Sequence, residues 1–243
     1  LNKDVFSMAP GEALILQNFE PDIKGGYRRV GGTALYNTTI VPEGSTHSGK
    51  TIDCSIVFNG QIIVARGGDI HRGTTSGSWT SLTTSLGTAL RSYDFEKFNF
   101  DGTDKIIIAT GHSPAQIINS SFAVDVVNAT GGGTAPTNPK FVKVFQNHMF
   151  YAGATNSQEV IFSVPFAEDN FTTGSGAGSF KVDSAVVGLK VFRNELIIFC
   201  EDRIYKLTGT TSSNFAVQEV TRNIGCRDGG SIQEIGGDVI FLA

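Results

Sequence analysis

The residues Gly44 to Thr51 read GSTHSGKT, which satisfies Gly-x-x-x-x-Gly-Lys-Thr. In a nucleotide site of that spacing, glycine-rich backbone N–H groups cradle the phosphates, the lysine reaches the terminal phosphates and the threonine hydroxyl binds Mg2+. Gly44, Gly49, Lys50 and Thr51 would take those parts here. The motif needs a buried strand before it and a helix opening at Gly-Lys-Thr. Instead, Pro42 and Glu43 precede it, and TIDCSIVFNGQIIVA, a β pattern, follows. The expectation is an exposed turn with Lys50 in solvent and no bound nucleotide.

The other chemistry-bearing residues are scattered. His47, His71, His112 and His148 have no His-x-x-x-His or Glu-paired spacing, so no metal is expected. Cys54, Cys200 and Cys226 lack the paired short spacings of a zinc or redox motif, and they read as ordinary buried thiols. Glu168–Asp169 and Glu201–Asp202 are carboxylate pairs in turns. They could act as a glycosidase pair only if both faced one cleft. GSGAGS at Gly174–Ser179 fails the dinucleotide fingerprint, and Asn37, Asn119, Asn128 and Asn170 begin Asn-x-Ser/Thr triplets in a chain rich in hydroxyl residues. No Gly-x-Ser-x-Gly elbow occurs. The sequence therefore predicts no catalytic residue, cofactor or metal site.

The elements that would position these residues are clearer. SIVFNGQIIVA, KFNFDGTDKIIIA, VKVFQNHMFYA, LKVFRNELIIF and QEIGGDVIFLA each place a polar or glycine turn between two strand-like runs. Their centres at Asn59, Gly102, Asn147, Asn194 and Gly237 are spaced by 43, 45, 47 and 43 residues. A third and a fourth short run follow each of the first four hairpins, as in DIHRG and SWTSL. Four short strands per repeat predict an all-β chain of four-stranded β-propeller blades of about 45 residues. Stacked β-sandwich units are the rival arrangement. The runs IIVA, IIIA, MFYA and LIIF are apolar without alternation, as strands buried on both faces should be. Phe58, Phe100, Phe145 and Phe192 recur just before the turns, where they are expected to pack in the blade cores. Residues 1–50 form an N-terminal β segment that could complete a blade or contact a neighbour, and residues 51–243 form the blades, the last truncated. The chain reads as a fragment of a longer polypeptide.

A net charge of -4 argues against a globally basic surface that grips duplex nucleic acid. KGGYRRVGG, with Tyr27, Arg28 and Arg29, is the one compact basic patch, and it suits an interface or local strand pairing. No apolar run approaches the length of a membrane helix.

LILQNFEPDIKGGYRRVGG, VVGLKVFRNELIIFCEDRIYKLTG and VTRNIGCRDGGSIQEIGGDVIFL resemble segments of the β-propeller structural proteins in the tails of short-tailed bacteriophages, the tail nozzle or tail tubular protein B-like group. The resemblance implies a non-enzymatic virion protein that self-associates into a ring, of six subunits in this family, below the portal and adaptor. Such a ring surrounds a channel through which viral DNA leaves without sequence readout, and it gives tail fibre or spike proteins a platform. Carried over onto the matching motifs, Tyr27, Arg28, Arg29, Arg203, Tyr205, Arg222 and Cys226 are architectural or interface positions. A carbohydrate- or receptor-binding propeller and a propeller glycosidase are the alternatives. The first would need clustered exposed aromatic residues, and the second converging carboxylates around an axial pocket.

Overall fold

A computed structural model of the chain describes residues 19–21, 27–29, 34–43, 52–84, 86 and 93–243. Gly44–Thr51, including Lys50, lies outside them, as does His47. The chain divides into two units, Leu1–Tyr36 and Asn37–Ala243. In the first unit, β1 (Phe19–Pro21) pairs antiparallel with β2 (Tyr27–Arg29), Phe19 opposite Arg29.

The second unit contains four four-stranded antiparallel sheets, each wound in sequence order. Sheet one comprises β3 (Cys54–Phe58), β4 (Gln61–Arg66), β5 (Asp69–Gly73) and β6 (Thr80–Thr83). Sheet two comprises β7 (Asp94–Phe100), β8 (Thr103–Ala109), β9 (Gln116–Asn119) and β10 (Val124–Val126). Sheet three follows with β11 (Phe141–Phe145), β12 (His148–Ala152), β13 (Glu159–Phe162) and β14 (Gly178–Lys181). Sheet four has β15 (Val186–Phe192), β16 (Glu195–Cys200), β17 (Arg203–Thr208) and β18 (Ala216–Arg222). A fifth hairpin pairs β19 (Gln233–Ile235) with β20 (Asp238–Ile240).

The period arises from the turns. Asn59–Gly60, Asp101–Gly102, Gln146–Asn147, Arg193–Asn194 and Gly236–Gly237 all have both φ angles positive, between 46° and 87°. That is the type I′ signature, whose twist matches the flanking strands. Asn, Asp and Gly reach this region at low cost, whereas Gln146 and Arg193 are held there by the register of the hairpins around them.

The second strands β8, β12 and β16 each pack on two neighbours at once, which explains their unbroken apolar runs. In β8, Ile106 and Ile108 join Phe58, Ile63 and Ala65 of sheet one, while Ile107 and Ala109 join Val142, Met149 and Tyr151 of sheet three. In β12 the alternate residues Phe150 and Ala152 face sheet four, against Leu196, Ile198 and Cys200. Ile197 and Phe199 of β16 then face Val239 and Phe241 of the fifth hairpin. Burial fades outward: β12 is buried throughout, while β18 alternates between exposed and half-buried. Phe58, Phe100 and Phe145 are almost fully buried, as the repeat predicts, and Phe192 is only half-buried.

Residues 37–43 lie against sheet one. The Asn37 side-chain amide donates to the Thr74 and Gly77 carbonyls (2.9 and 3.2 Å), and the Trp79 indole donates to the Thr39 carbonyl (2.8 Å). Arg66, buried in β4, donates to the Val41 carbonyl and pairs with Glu43 at 3.6 Å. Gly73 is the residue of β5 under the Trp79 ring, where a Cβ would strike the indole at 2.6 Å.

Candidate functional site: the axial cavity

The first strands of successive sheets lie against one another, β3 beside β7, β7 beside β11 and β11 beside β15. The first strand is the inner strand of a propeller blade, so this row forms the axial side of the sheets, and a cavity of about 660 Å³ lies along it. Its wall takes Asp53 from the lead-in to β3, Tyr93 and Asp94 from the start of β7, Lys140, Phe141 and Lys143 from β11 and its lead-in, and Val187–Lys190 from β15. His112 comes from the turn after β8, and Arg227–Gly230 with Ile232 come from the loop before β19. That loop is seated by close backbone approach, because a Cβ at Gly229 would collide with the Val187 carbonyl. The Asp228 carboxylate accepts from the Gly230 N–H at 3.0 Å and fixes a single 3-10 turn, Gly229–Ser231.

Much of the wall is already engaged. The Val142 N–H donates to Asp94 Oδ2 (3.0 Å), and the Val144 N–H donates to Glu96 Oε1 (3.3 Å). Acidic side chains of β7 thus satisfy alternate amides along the edge of β11. Lys143 donates to Glu96 Oε2 at 2.6 Å. Burial raises the Asp94 carboxyl to about 6 despite the nearby Lys143 and the Val142 N–H. Burial pulls Lys143 down, but Glu96 and Asp94 outweigh it and hold the ammonium above its usual value. Lys190 reaches Glu234 at 3.6 Å.

Three charged groups are left over. Among the described residues, the exposed Lys140 and Arg227 have no ion-pair partner, and Asp53 Oδ2 is buried without a hydrogen-bond partner. The wall carries four cations (Lys140, Lys143, Lys190, Arg227) against three carboxylates (Asp53, Asp94, Asp228). Two of these cations are already neutralised, Lys143 by Glu96 and Lys190 by Glu234, so Lys140 and Arg227 are the ones without an ion-pair partner among the described residues. Sequence reading did not single out Asp53, Asp94, Lys140 or Arg227. The available signal was charge inside or just before otherwise strand-like first runs, DFEKF and KFVKV among them.

The structure disperses the candidates named from sequence. His71 is buried on sheet one and His148 is buried among Phe150, Phe162 and Phe215, its Nδ1 2.6 Å from the Ser163 carbonyl. Burial lowers both imidazoles and keeps them neutral. Of the histidines among the described residues, His112 reaches the cavity. Among the described residues, no group of three or more His, Cys, Asp or Glu is placed to hold a metal ion. Burial pushes the Cys54 and Cys200 thiols up to about 12, so neither is a thiolate at neutral pH.

The acidic pairs are structural. Glu168 pairs with Lys105, and its carbonyl accepts from the Tyr151 hydroxyl at 2.8 Å. Asp169 accepts from the backbone of Asn128, Ala129 and Thr130 and from the Thr130 hydroxyl. Asp202 pairs with Arg203.

Of the positions carried over by resemblance, Arg29 is exposed on β2, and the side chains of Tyr27 and Arg28 lie outside the described residues. Tyr205 is buried between sheets three and four, where it packs the core, and its hydroxyl donates to Asp183 Oδ2 at 3.2 Å. Arg203 is clasped by Asp202 (3.1 Å), Asp183 (3.5 Å) and Glu219 (3.7 Å). Arg222 is exposed and pairs with Glu219. Cys226 is buried against Phe199 and Ile204.

No protein-family model and no curated protein matches the sequence. Solved structures resemble the fold. Saccharomyces cerevisiae Sqt1 is 10% identical with a TM-score of 0.50, over 87% of this chain and 56% of that one. The Neurospora crassa Pan2 WD40 domain is 12% identical with a TM-score of 0.48, over 71% and 52%. The extracellular domain of B. thetaiotaomicron BT4673 is 10% identical with a TM-score of 0.50, over 74% and 22%. The chain therefore spans about half the length of the first two. At such identities the likeness shows architecture alone: the four sheets are blades of the β-propeller kind, with the fifth hairpin packed on the last.

Proposed function

We propose that the chain is a structural, non-catalytic propeller of a short-tailed bacteriophage tail, a nozzle-like component that self-associates into a ring, of six copies by the family resemblance. In that assembly it forms part of the wall of the genome channel and a platform for portal, adaptor and fibre or spike proteins. The observation that carries this reading is the series of four four-stranded antiparallel blades, the architecture that the resemblance implies. The resemblance supports it further, because two of the three segments that carry it lie in the fourth blade and the fifth hairpin.

Cryo-electron microscopy of the protein in its native assembly tests the proposal. A ring around an open channel is the expected result, and a monomer with an occupied axial cavity overturns it. A carbohydrate- or receptor-binding propeller is the second reading, and the axial cavity favours it. Trp79 does not, since its indole is packed over Gly73 and hydrogen-bonded to Thr39.

A further inference from the structure

We propose that the axial cavity binds a sugar ring carrying a carboxylate or phosphate group. The anion is held by Arg227 and Lys140, and a ring hydroxyl donates to Asp53. The inference is independent of the tail reading, since it concerns a single chain.

Four observations converge on this chemistry. The first is size: about 660 Å³ falls within the range of small-molecule pockets and exceeds what a bare phosphate would fill. The second is the unspent charge. Lys140 comes from the lead-in to β11 and Arg227 from the loop before β19, and both line the cavity without an ion-pair partner among the described residues. A guanidinium presents a planar fork of donors that matches a carboxylate or phosphate, and the ammonium adds a point charge.

The third is Asp53. Its Oδ2 is buried and unpartnered, and a buried acceptor left unsatisfied is costly. An ionised carboxylate can only accept, so the group that completes it must be a donor, and a sugar hydroxyl is one. An anion with no hydroxyl would leave this need unmet and add repulsion. The fourth is the apolar surface. Tyr93 and Phe141 both line the cavity and are half-buried, so aromatic surface is available to the C–H side of a pyranose. Lys143 and Asp94 are already joined to Glu96 and the Val142 N–H, which leaves the three unspent groups to the ligand.

The test uses the 243-residue chain. Binding of D-glucuronate and of glucose 6-phosphate is measured by isothermal titration calorimetry and ligand-observed NMR at pH 7. Glucose and inorganic phosphate are the comparison ligands. Saturable binding of at least one acidic sugar is expected, at least about tenfold tighter than glucose or inorganic phosphate. Arg227→Gln should weaken that binding by at least about tenfold, the loss of one charge-assisted contact. Asp53→Asn should weaken the acidic sugar while leaving phosphate no weaker, because it removes a repelling charge. Arg227 is exposed, and circular dichroism with a thermal melt confirms that each variant is folded; Lys140→Gln supplies a second variant of the anion site. No binding of either acidic sugar overturns the proposal, as does glucose or phosphate binding equally well, or Arg227→Gln and Lys140→Gln both binding like the parent. A ring seen by microscopy with no sugar bound would sink this inference alone. A bound sugar on a monomer would sink the ring alone.

Discussion

Phe150 and Ile240 occupy the same place in the repeat, the third residue after a type I′ turn, and both point away from the preceding blade. Phe150 is fully buried among Phe145, Phe162, Leu196 and Ile198, with rings in edge and tilted contact. Ile240 is 54% exposed, and its companions Ile235 and Leu242 match it. On the opposite side of the fifth hairpin, Val239 and Phe241 are packed against blade four, with the Phe199 and Phe241 ring centroids 5.1 Å apart. One hairpin therefore has a satisfied face and an open one. The difference teaches that apolar alternation states which face can be buried, while burial itself depends on what lies alongside. Phe192, the half-buried member of the phenylalanine series, lies at the end of β15 with the Arg193 guanidinium over its ring.

The comparison can be broken first at its closed side. Phe150→Ala should cost about 3–5 kcal/mol, read as a lower urea midpoint, because the neighbouring blades collapse only partly into the space. The seam between blades two and three sharpens the contrast through pH. The Asp94 carboxyl titrates at about 6 in the folded chain and 3.8 otherwise, so the native state holds its proton more tightly. Its contribution is fully present below about pH 4 and is lost as pH rises through 6, up to about 3 kcal/mol in all. Asp94→Asn should remove that slope from melts recorded between pH 4 and 7, and an unchanged slope would mean that some other group produces it.

At the join between blade four and the fifth hairpin, Gly229→Ala should cost about 1–3 kcal/mol by driving a methyl into the Val187 carbonyl. Increased proteolysis after residue 226, with blades two to four still protected, would show it. The smallest effect belongs to the open flank. Ile240→Ala should change stability by about 0.5 kcal/mol or less, as exposed substitutions do, yet it should lower self-association in sedimentation velocity. A loss as large as that at Phe150 would mean that this flank is covered in the isolated chain.

The blades were legible because their signals are local. Turn pairs such as Asn59–Gly60 and double-sided runs such as Ile106–Ile107–Ile108 reveal themselves within about ten residues, and their spacing supplies the period. The cavity was not legible because its groups arrive from Asp53, Tyr93, Lys140 and Arg227, which only the side-by-side packing of the sheets brings together. The burial of Tyr205 was hard to read for a related reason. RIYKLT shows a surface-like mixture of residues, but β17 lies between two covered faces, so Ile204 turns to one and Tyr205 to the other. The seating of residues 37–43 on sheet one rests on backbone carbonyls accepting from Arg66 and Trp79, a bond type that leaves no mark on the accepting residue's identity.

Asp169 has a mechanical meaning. Its one carboxylate gathers three consecutive amides and a hydroxyl from the outer end of blade two onto a loop of blade three. A force drawing those blades apart loads the four bonds side by side, so none can yield alone, whereas the paired strands within a blade can open one bond at a time. Under tension the chain should therefore unravel within a blade before adjoining blades separate at this staple, and Asp169→Ala should reverse that order.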